Sequence, residues 1–543
     1  MASVRYIILS ACQSAGLYAQ FGFESEAAAW IEKQGSNPCA YVYYRQGVGV
    51  AGFDNVSVVF GGSNPSAALR RVRDSLERSL EFRSERQTEI WGFPVLAVTA
   101  RAKKRVYGFG GVVRPIPPVP PAPTVDYMYF EAVEANSTVA MTSTLTTAPN
   151  LEYSTDGETW QEWQHTTAEG VHTFGTITLT AIGDRVYLRG DNPNGLATLP
   201  EGAEEPQFSH FEMTGKIAAG GNIMSLLDKN AEMTEIPAFG LITLFGDLTK
   251  ENPNTSLTSA ADMKAVTSIG EYGCSFMYFG CTSLTAAAAM PALTRIYAHG
   301  CGFMYDGCTS LTAAAAMPSL TTIGNIGCMN MYMGCTSLTA AAAMPAVTSI
   351  GEYGCDGMYA GCTSLTSAAA MPSVTTIGDH GCAEMYDACT SLTAAADMQA
   401  VTSIGNSGCV HMYRGCTSLT TAAAMPAVTS IYAHGCDCMY AGCTSLTSAA
   451  AMPQLTTIGN SGCMNMYAGC TSLTAAAAMP SLTTIGDNGC ESMYSGCTFN
   501  MSNDGTALNF DFPTPPIMAG ETTYPTAYDV AQWMGNTNGF TNP

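Results

Sequence analysis

One spacing governs this chain: from Met263 to Cys497 the sequence returns to the same residues every 27 positions without a single insertion. Met recurs at 263, 290, 317, 344, 371, 398, 425, 452 and 479, followed by Pro except at Lys264 and Gln399. In step with it run Ile269 to Ile485, Tyr278 to Tyr494, and two cysteine series, Cys274 to Cys490 and Cys281 to Cys497. A unit this short cannot close a core of its own, so a fixed period with fixed apolar places predicts units stacked in a row, each covering its neighbour's open side. The expectation is a mainly β, leucine-rich-repeat-like solenoid of nine turns over residues 263–500.

The unit reads CTSLTAAAAMPxLTxIGxxGCxxMYxG, with Leu, Met, Leu or Val, Ile, Met and Tyr expected to face inward. Four alanines favour helix by propensity, yet a stable helix needs about three turns and here proline follows the methionine. Leu284–Met290 and its equivalents are therefore expected to form the parallel strand, and Gly273–Gly280 a short helical turn opposite. Nine units stacked at about 4.8 Å extend roughly 43 Å.

Eighteen of the 21 cysteines occupy the two fixed positions, beginning with Cys274, Cys281, Cys301, Cys308, Cys328 and Cys335. A small buried thiol facing backbone explains such ladders best, with a disulfide inside each unit, Cys274 to Cys281, as the alternative. Zinc is disfavoured because CxxC pairs with His partners are missing. His299, His380, His411 and His434 occur in only some units and read as surface variation.

A strictly repeated unit offers no unique nucleophile, base or metal cluster, so no enzyme, cofactor or metal is expected. Recognition would instead fall on the positions that vary while the frame stays fixed, the two before Met-Tyr and the one after. These form a ladder: Ser275, Phe276, Phe279; Gly302, Phe303, Asp306; Met329, Asn330, Met333; then Asp356, Ala383, Glu384, Val410, His411, Arg414 and Asp437. Its Phe and Met end would be an apolar patch of the kind that marks a contact, set against drift on a solvated surface.

The rest of the chain divides around a proline spacer. Residues 1–113 mix strand-like runs (RYIILSA, CAYVYYR, VSVVFGG, FPVLAVTA) with helical segments at Glu24–Gln34 and Asn64–Glu89, an α+β unit read as an anchoring or assembly domain. Residues 114–124 are a stiff Pro-rich linker. Short alternating strands over 125–195 suggest a small Ig-like β-sandwich, with 196–262 connecting to and capping the solenoid and 501–543 closing it. Arg189-Gly190-Asp191 matches an adhesion tripeptide but sits at an expected strand end, and three residues recur by chance.

The net charge of −22 is uneven. Residues 1–114 hold 14 Lys and Arg against 9 Asp and Glu, leaving 8 against 35 for the remainder. Such an acidic body does not suit nucleic acid. No run of 18 apolar residues marks a membrane-spanning helix. Leu9-Ser10-Ala11-Cys12 has the form of a lipoprotein box, yet only about six apolar residues follow Arg5, fewer than a signal core needs. A buried first strand over Tyr6–Leu9 is preferred.

The segment GCTSLTAAAAMPALTRI resembles the BspA-type leucine-rich repeats of gut Bacteroidetes and of their phages, through its spacing of Cys, Leu, Pro and Ile. YFEAVEANSTVAM, LEYSTDGETWQEW, DRVYLRGDN and GNIMSLLDKN are similar to the sandwich that precedes such repeats, and AQWMGNTNGFTNP to their closing segment. The family more often has a shorter repeat and Phe where Met-Tyr stands here. The resemblance implies recognition of a host cell-surface glycan or protein through the solenoid. Two settings fit: a phage virion appendage, docked to other virion proteins through residues 1–113, or a bacterial surface adhesin, lipid-anchored at Cys12. The missing convincing signal and the basic head favour the virion; a homo-oligomer stays open.

Overall fold

The computed structural model describes residues 127–192, 196, 208–230, 233–246, 253–396 and 398–541, together with the strands of the N-terminal part. The chain forms two compact units, residues 1–116 and 117–543. In the first, Tyr6–Ala11 and Cys39–Arg45 pair antiparallel at the centre of a four-stranded sheet edged by Tyr18–Ala19 and Val56–Gly61. Within the expected fourth long strand, Phe93–Pro94 and Ala97–Val98 are extended. The helices expected at 24–34 and 64–89, and the 114–124 spacer, lie outside the described residues.

In the second unit two antiparallel-dominated sheets face each other. Alternation of buried and half-buried residues in Met128–Ala132 and Ser137–Ser143 gives each sheet one apolar side. Phe130 and Phe211, from opposite sheets, meet with ring centroids 5.1 Å apart, and Trp163 closes on Phe174 at 5.4 Å. The sandwich does not end at residue 195. Ser209–Thr214, Ile217–Gly220 and Leu257–Ser259 all belong to its sheets, so the segment expected to be a connection supplies strands. Arg189 of the adhesion-like tripeptide is engaged structurally: Nε reaches Glu152 Oε2 at 2.6 Å and the guanidinium covers the Trp160 ring.

The solenoid is built on a ten-stranded parallel sheet of dipeptides, from Glu235–Ile236 through Ser268–Ile269 to Thr484–Ile485. Eight full 27-residue turns therefore separate Ile269 from Ile485, with one longer turn before them. This corrects the strand assignment. The Ala run, expected at Leu284–Met290, forms only single parallel bridges such as Ala286 to Ala313. Pro291 has no N–H for an interior ladder and alanine is a poor strand former, whereas Thr or Ser before β-branched Ile suits one.

Each turn closes around the same buried set: Cys274, Met277, Tyr278, Cys281, Leu284, Ala288, Met290, Leu293 and Ile296 in the first. Tyrosine organises it. The nine rings from Tyr278 to Tyr494 stack at 5.1 to 5.7 Å, within 2° to 6° of parallel. Each Oη from Tyr305 onward accepts the N–H of a buried alanine one strand back, as Ala288 to Tyr305 at 3.0 Å. Each tyrosine carbonyl from Tyr278 to Tyr467 accepts a thiol, as Cys308 Sγ–H to Tyr278 O at 3.1 Å. On the outside, Thr285 and Thr294 columns donate their hydroxyls to the carbonyl one turn back. The tyrosine stack continues through Phe245 into Phe211 and Phe130, fusing solenoid and sandwich into one core. At the far end the Thr526-capped helix Ala527–Trp533 buries Val530, Ala531 and Trp533 against the last turn, and Tyr494 N–H donates to Met534 O.

The 19 cysteines from Cys274 to Cys497 are unpaired, and all but Cys438 are buried. Burial pushes the Cys328, Cys382 and Cys463 thiols up to about 12, away from the reactive thiolate. Iodoacetamide at neutral pH is accordingly expected to leave the two repeat series unlabelled in native protein and to modify them all after denaturation. Peptide mass mapping checks this, and native labelling of Cys308 or Cys335 would contradict the fold.

Candidate recognition face

The segment around Gly-Cys-x-x-Met-Tyr is not the expected helical turn. It is a run of overlapping tight turns whose amides alternate in direction. Ser275, Met277 and Phe279 bond back three residues, while Cys274, Phe276 and Tyr278 donate to Gly300, Gly302 and Met304 of the next turn at 2.8 to 3.0 Å. Every fourth residue takes the left-handed conformation, Tyr272 at φ 54°, Phe276 at 56° and Gly280 at 67°. This zigzag turns 274, 277 and 278 inward and leaves 272, 276 and 279 half-exposed.

The variable ladder accordingly lies along one side, but unevenly. Ser275, Asp306 and Asp437 are buried and offer little surface; Ser275 Oγ donates to His299 O. Phe276, Phe279, Phe303, Met329, Asn330 and Met333 are half-buried. Phe276 stacks on Phe303 at 4.8 Å and leans on Phe279 at 5.9 Å, so the sandwich-proximal end is apolar as expected.

Farther along, the same columns turn polar. Asp356 has its carboxyl raised to about 7, first by burial and then by Glu384. Arg414 grips Asp387 with two bonds, 2.9 and 2.7 Å, while His411 Nδ1 lies 3.4 Å from both Glu384 Oε1 and the Arg414 guanidinium. His434 Nδ1 is 3.3 Å from Asp437 Oδ2. These groups largely satisfy one another, and partly exposed pairs of this kind add little stability. Among the described residues no three His, Cys, Asp or Glu side chains gather to hold a metal.

Sequence reasoning missed the column before Gly-Cys. There Tyr272 stacks on His299 at 4.3 Å and Tyr353 on His380 at 4.4 Å, with Phe239 against Tyr272 at 5.1 Å. Dismissing those histidines singly hid the signal; an aromatic one period earlier would have shown it.

The fold and this face define a repeat scaffold with an invariant interior and one variable side. Residues 253–509 match the BspA type leucine rich repeat region in six copies, and the repeat region of this chain belongs to that family. Solved structures similar to it include a leucine rich cell surface protein from Faecalibacterium prausnitzii, 20% identical, with 49% of this chain and 69% of that one covered at a TM-score of 0.24. A leucine-rich repeat protein from Bacteroides ovatus is 14% identical, with 55% and 86% covered at 0.19. The pneumococcal vaccine antigen PcpA is 10% identical, with 57% and 85% covered at 0.21. No curated protein matches the chain.

Proposed function

We propose that the chain is a non-enzymatic, adhesin-like protein of a bacterial cell surface that uses its solenoid to bind a surface glycan or protein on another cell. The observation that carries this reading is the family match over the repeats, together with a side where residues vary on an unvarying frame. The family match supports this setting over the virion appendage that the basic N-terminal part suggested. Residues 1–113 then act as the part nearest the producing cell, with Cys12 as the candidate lipid attachment.

The test is display and attachment together. Protease added to intact producing cells should remove the solenoid, and beads carrying the full chain should adhere to target cells. Replacing Phe276, Phe303 and Met329 by Ser should cut adhesion several-fold while circular dichroism stays unchanged, because these side chains are half-exposed rather than core. Protection from protease on intact cells, or unaltered adhesion of the triple variant, would count against the reading.

A further inference from the structure

Beside the variable face runs a lane with a different composition. The residue after the ladder isoleucine is glycine in seven turns and tyrosine in two, Tyr297 and Tyr432. These rings are 47% and 55% exposed, whereas the interior tyrosines are fully buried. Neither stacks on another ring among the described residues; only the Arg295 guanidinium approaches Tyr297, 5.6 Å from its centroid. They stand 135 residues, or five periods of 27, apart. At the usual strand spacing that is about 24 Å.

Between the two tyrosines the floor is backbone. A Cβ at Gly351 would lie 2.6 Å from Asn325 Oδ1, and one at Gly405 the same distance from Asp379 Oδ1. Close neighbours favour glycine here: backbone crowds a Cβ at Gly324 and Gly378, and a neighbouring ladder of polar side chains does so at Gly351 and Gly405. In it Asn325 Oδ1 accepts the Glu352 N–H at 3.2 Å and Asp379 Oδ1 accepts the Asn406 N–H at 2.8 Å. All four ladder residues are exposed; Asn406 Nδ2 also donates to Asp379 Oδ2 at 3.1 Å, and Asn406 Oδ1 accepts the Ala433 N–H at 3.2 Å.

We propose that this lane binds a linear, neutral glycan of about six sugar rings lying along the solenoid, one ring per turn. Tyr297 and Tyr432 pack against the apolar faces of the sugars at the two ends, as amphipathic rings with an exposed face do. The Asn325, Glu352, Asp379 and Asn406 side chains accept and donate hydrogen bonds to hydroxyls in between. The period supports the match, because a pyranose in an extended chain advances about as far as one solenoid turn. Charge selects among polymers: Glu352 and Asp379 are exposed in the lane, and the described lane residues from Gly324 to Asn406 include no Lys or Arg, which disfavours phosphate- or carboxylate-bearing chains. A peptide is a poorer fit, since laterally paired strands leave no open edge along the lane and a glycine floor has no pocket for a side chain.

The inference rests on the surface-binding reading only for outward display. It is tested by calorimetric titration of the full chain with neutral linear oligosaccharides, β-1,4-glucans, β-1,4-mannans and α-1,4-glucans, from disaccharide to heptasaccharide. Affinity is expected to rise with length up to the hexasaccharide. It should fall at least about tenfold, about 1.4 kcal/mol, in Tyr297→Ala and again in Tyr432→Ala, and survive Tyr→Phe at both. Both side chains are exposed, so unchanged melting of the variants is the fold control. Absence of binding to every oligosaccharide, affinity independent of length, or alanine variants that bind like the parent would each overturn the proposal. Preferential binding of an anionic glycan or an extended peptide would overturn it too. Beads that adhere to cells although the chain binds no neutral glycan refute the lane alone; glycan binding by a chain shielded from protease on intact cells refutes the display reading alone.

Discussion

Replacing Tyr386 by alanine is expected to lower the unfolding free energy of the repeat region by about 3–5 kcal/mol, as large-to-small changes at fully buried aromatics do. Its ring is completely buried and stacked on both sides, on Tyr359 at 5.5 Å and Tyr413 at 5.3 Å, so no neighbour can collapse into the space without breaking a second stack. The loss is also polar. Tyr386 Oη accepts the Ala369 N–H at 2.8 Å, inside the wall of the turn. Tyr386→Phe keeps the stack and orphans that amide, which should cost about 1–3 kcal/mol. A solenoid couples only adjacent turns, so a break in the middle weakens both halves. Urea titration followed by circular dichroism should rank Ala below Phe below parent. The same change at exposed Tyr432 should stay within about 0.5 kcal/mol. Equal effects at both positions would mean that the tyrosine column is not the spine of the fold.

That spine was legible because a strict period labels inward positions without any knowledge of their conformation. Leu284, Met290, Leu293, Ile296, Met304 and Tyr305, all read as inward, are all fully buried. Conformation was harder. A two-residue strand such as Arg295–Ile296 is too short to show alternation, and the Ala run beside it draws attention by composition alone. The tight turns were hidden for another reason. Several of their left-handed positions are held by Phe276, Phe303, Glu384 and Cys438, residues that carry no such signature, because the inter-turn hydrogen bonds impose a conformation that propensity opposes. The sandwich boundary failed on connectivity. Ile217–Gly220 pairs in parallel with Leu257–Ser259, and between them the chain departs to build the first solenoid turn, which no local pattern announces. On the candidate face Phe276 and Phe279 are half-exposed, but a buried Ser275 or Asp437 cannot be told from an exposed one by period alone.

Alkaline solution should unfold the solenoid abruptly, while it remains stable at neutral pH. Burial holds the thiols of both cysteine series above their ordinary value near 9, and the nine stacked tyrosines well above 10. A group whose pKa is raised in the folded state keeps a proton that the unfolded chain has already lost. Its contribution is complete below the unfolded pKa and declines as the pH climbs from there toward the folded value, so the window opens near pH 9. Each such group then removes about 1.4 kcal/mol per pH unit. With eighteen thiols in the series, about a dozen of them titrating over one unit exceed the roughly 5–15 kcal/mol that keeps a domain folded. The expected result is loss of the far-UV signal within about one pH unit above the thiol range, released together with thiolate absorbance. Replacing Cys308, Cys335, Cys362 and Cys389 by alanine should make the transition shallower and move it upward, even if the quadruple variant is less stable at pH 7 for want of its thiol-to-carbonyl bonds. A solenoid that stays folded well above the range where tyrosine ordinarily ionises, or a midpoint indifferent to the cysteine count, would show that water reaches these ladders and that the closed core described here is wrong.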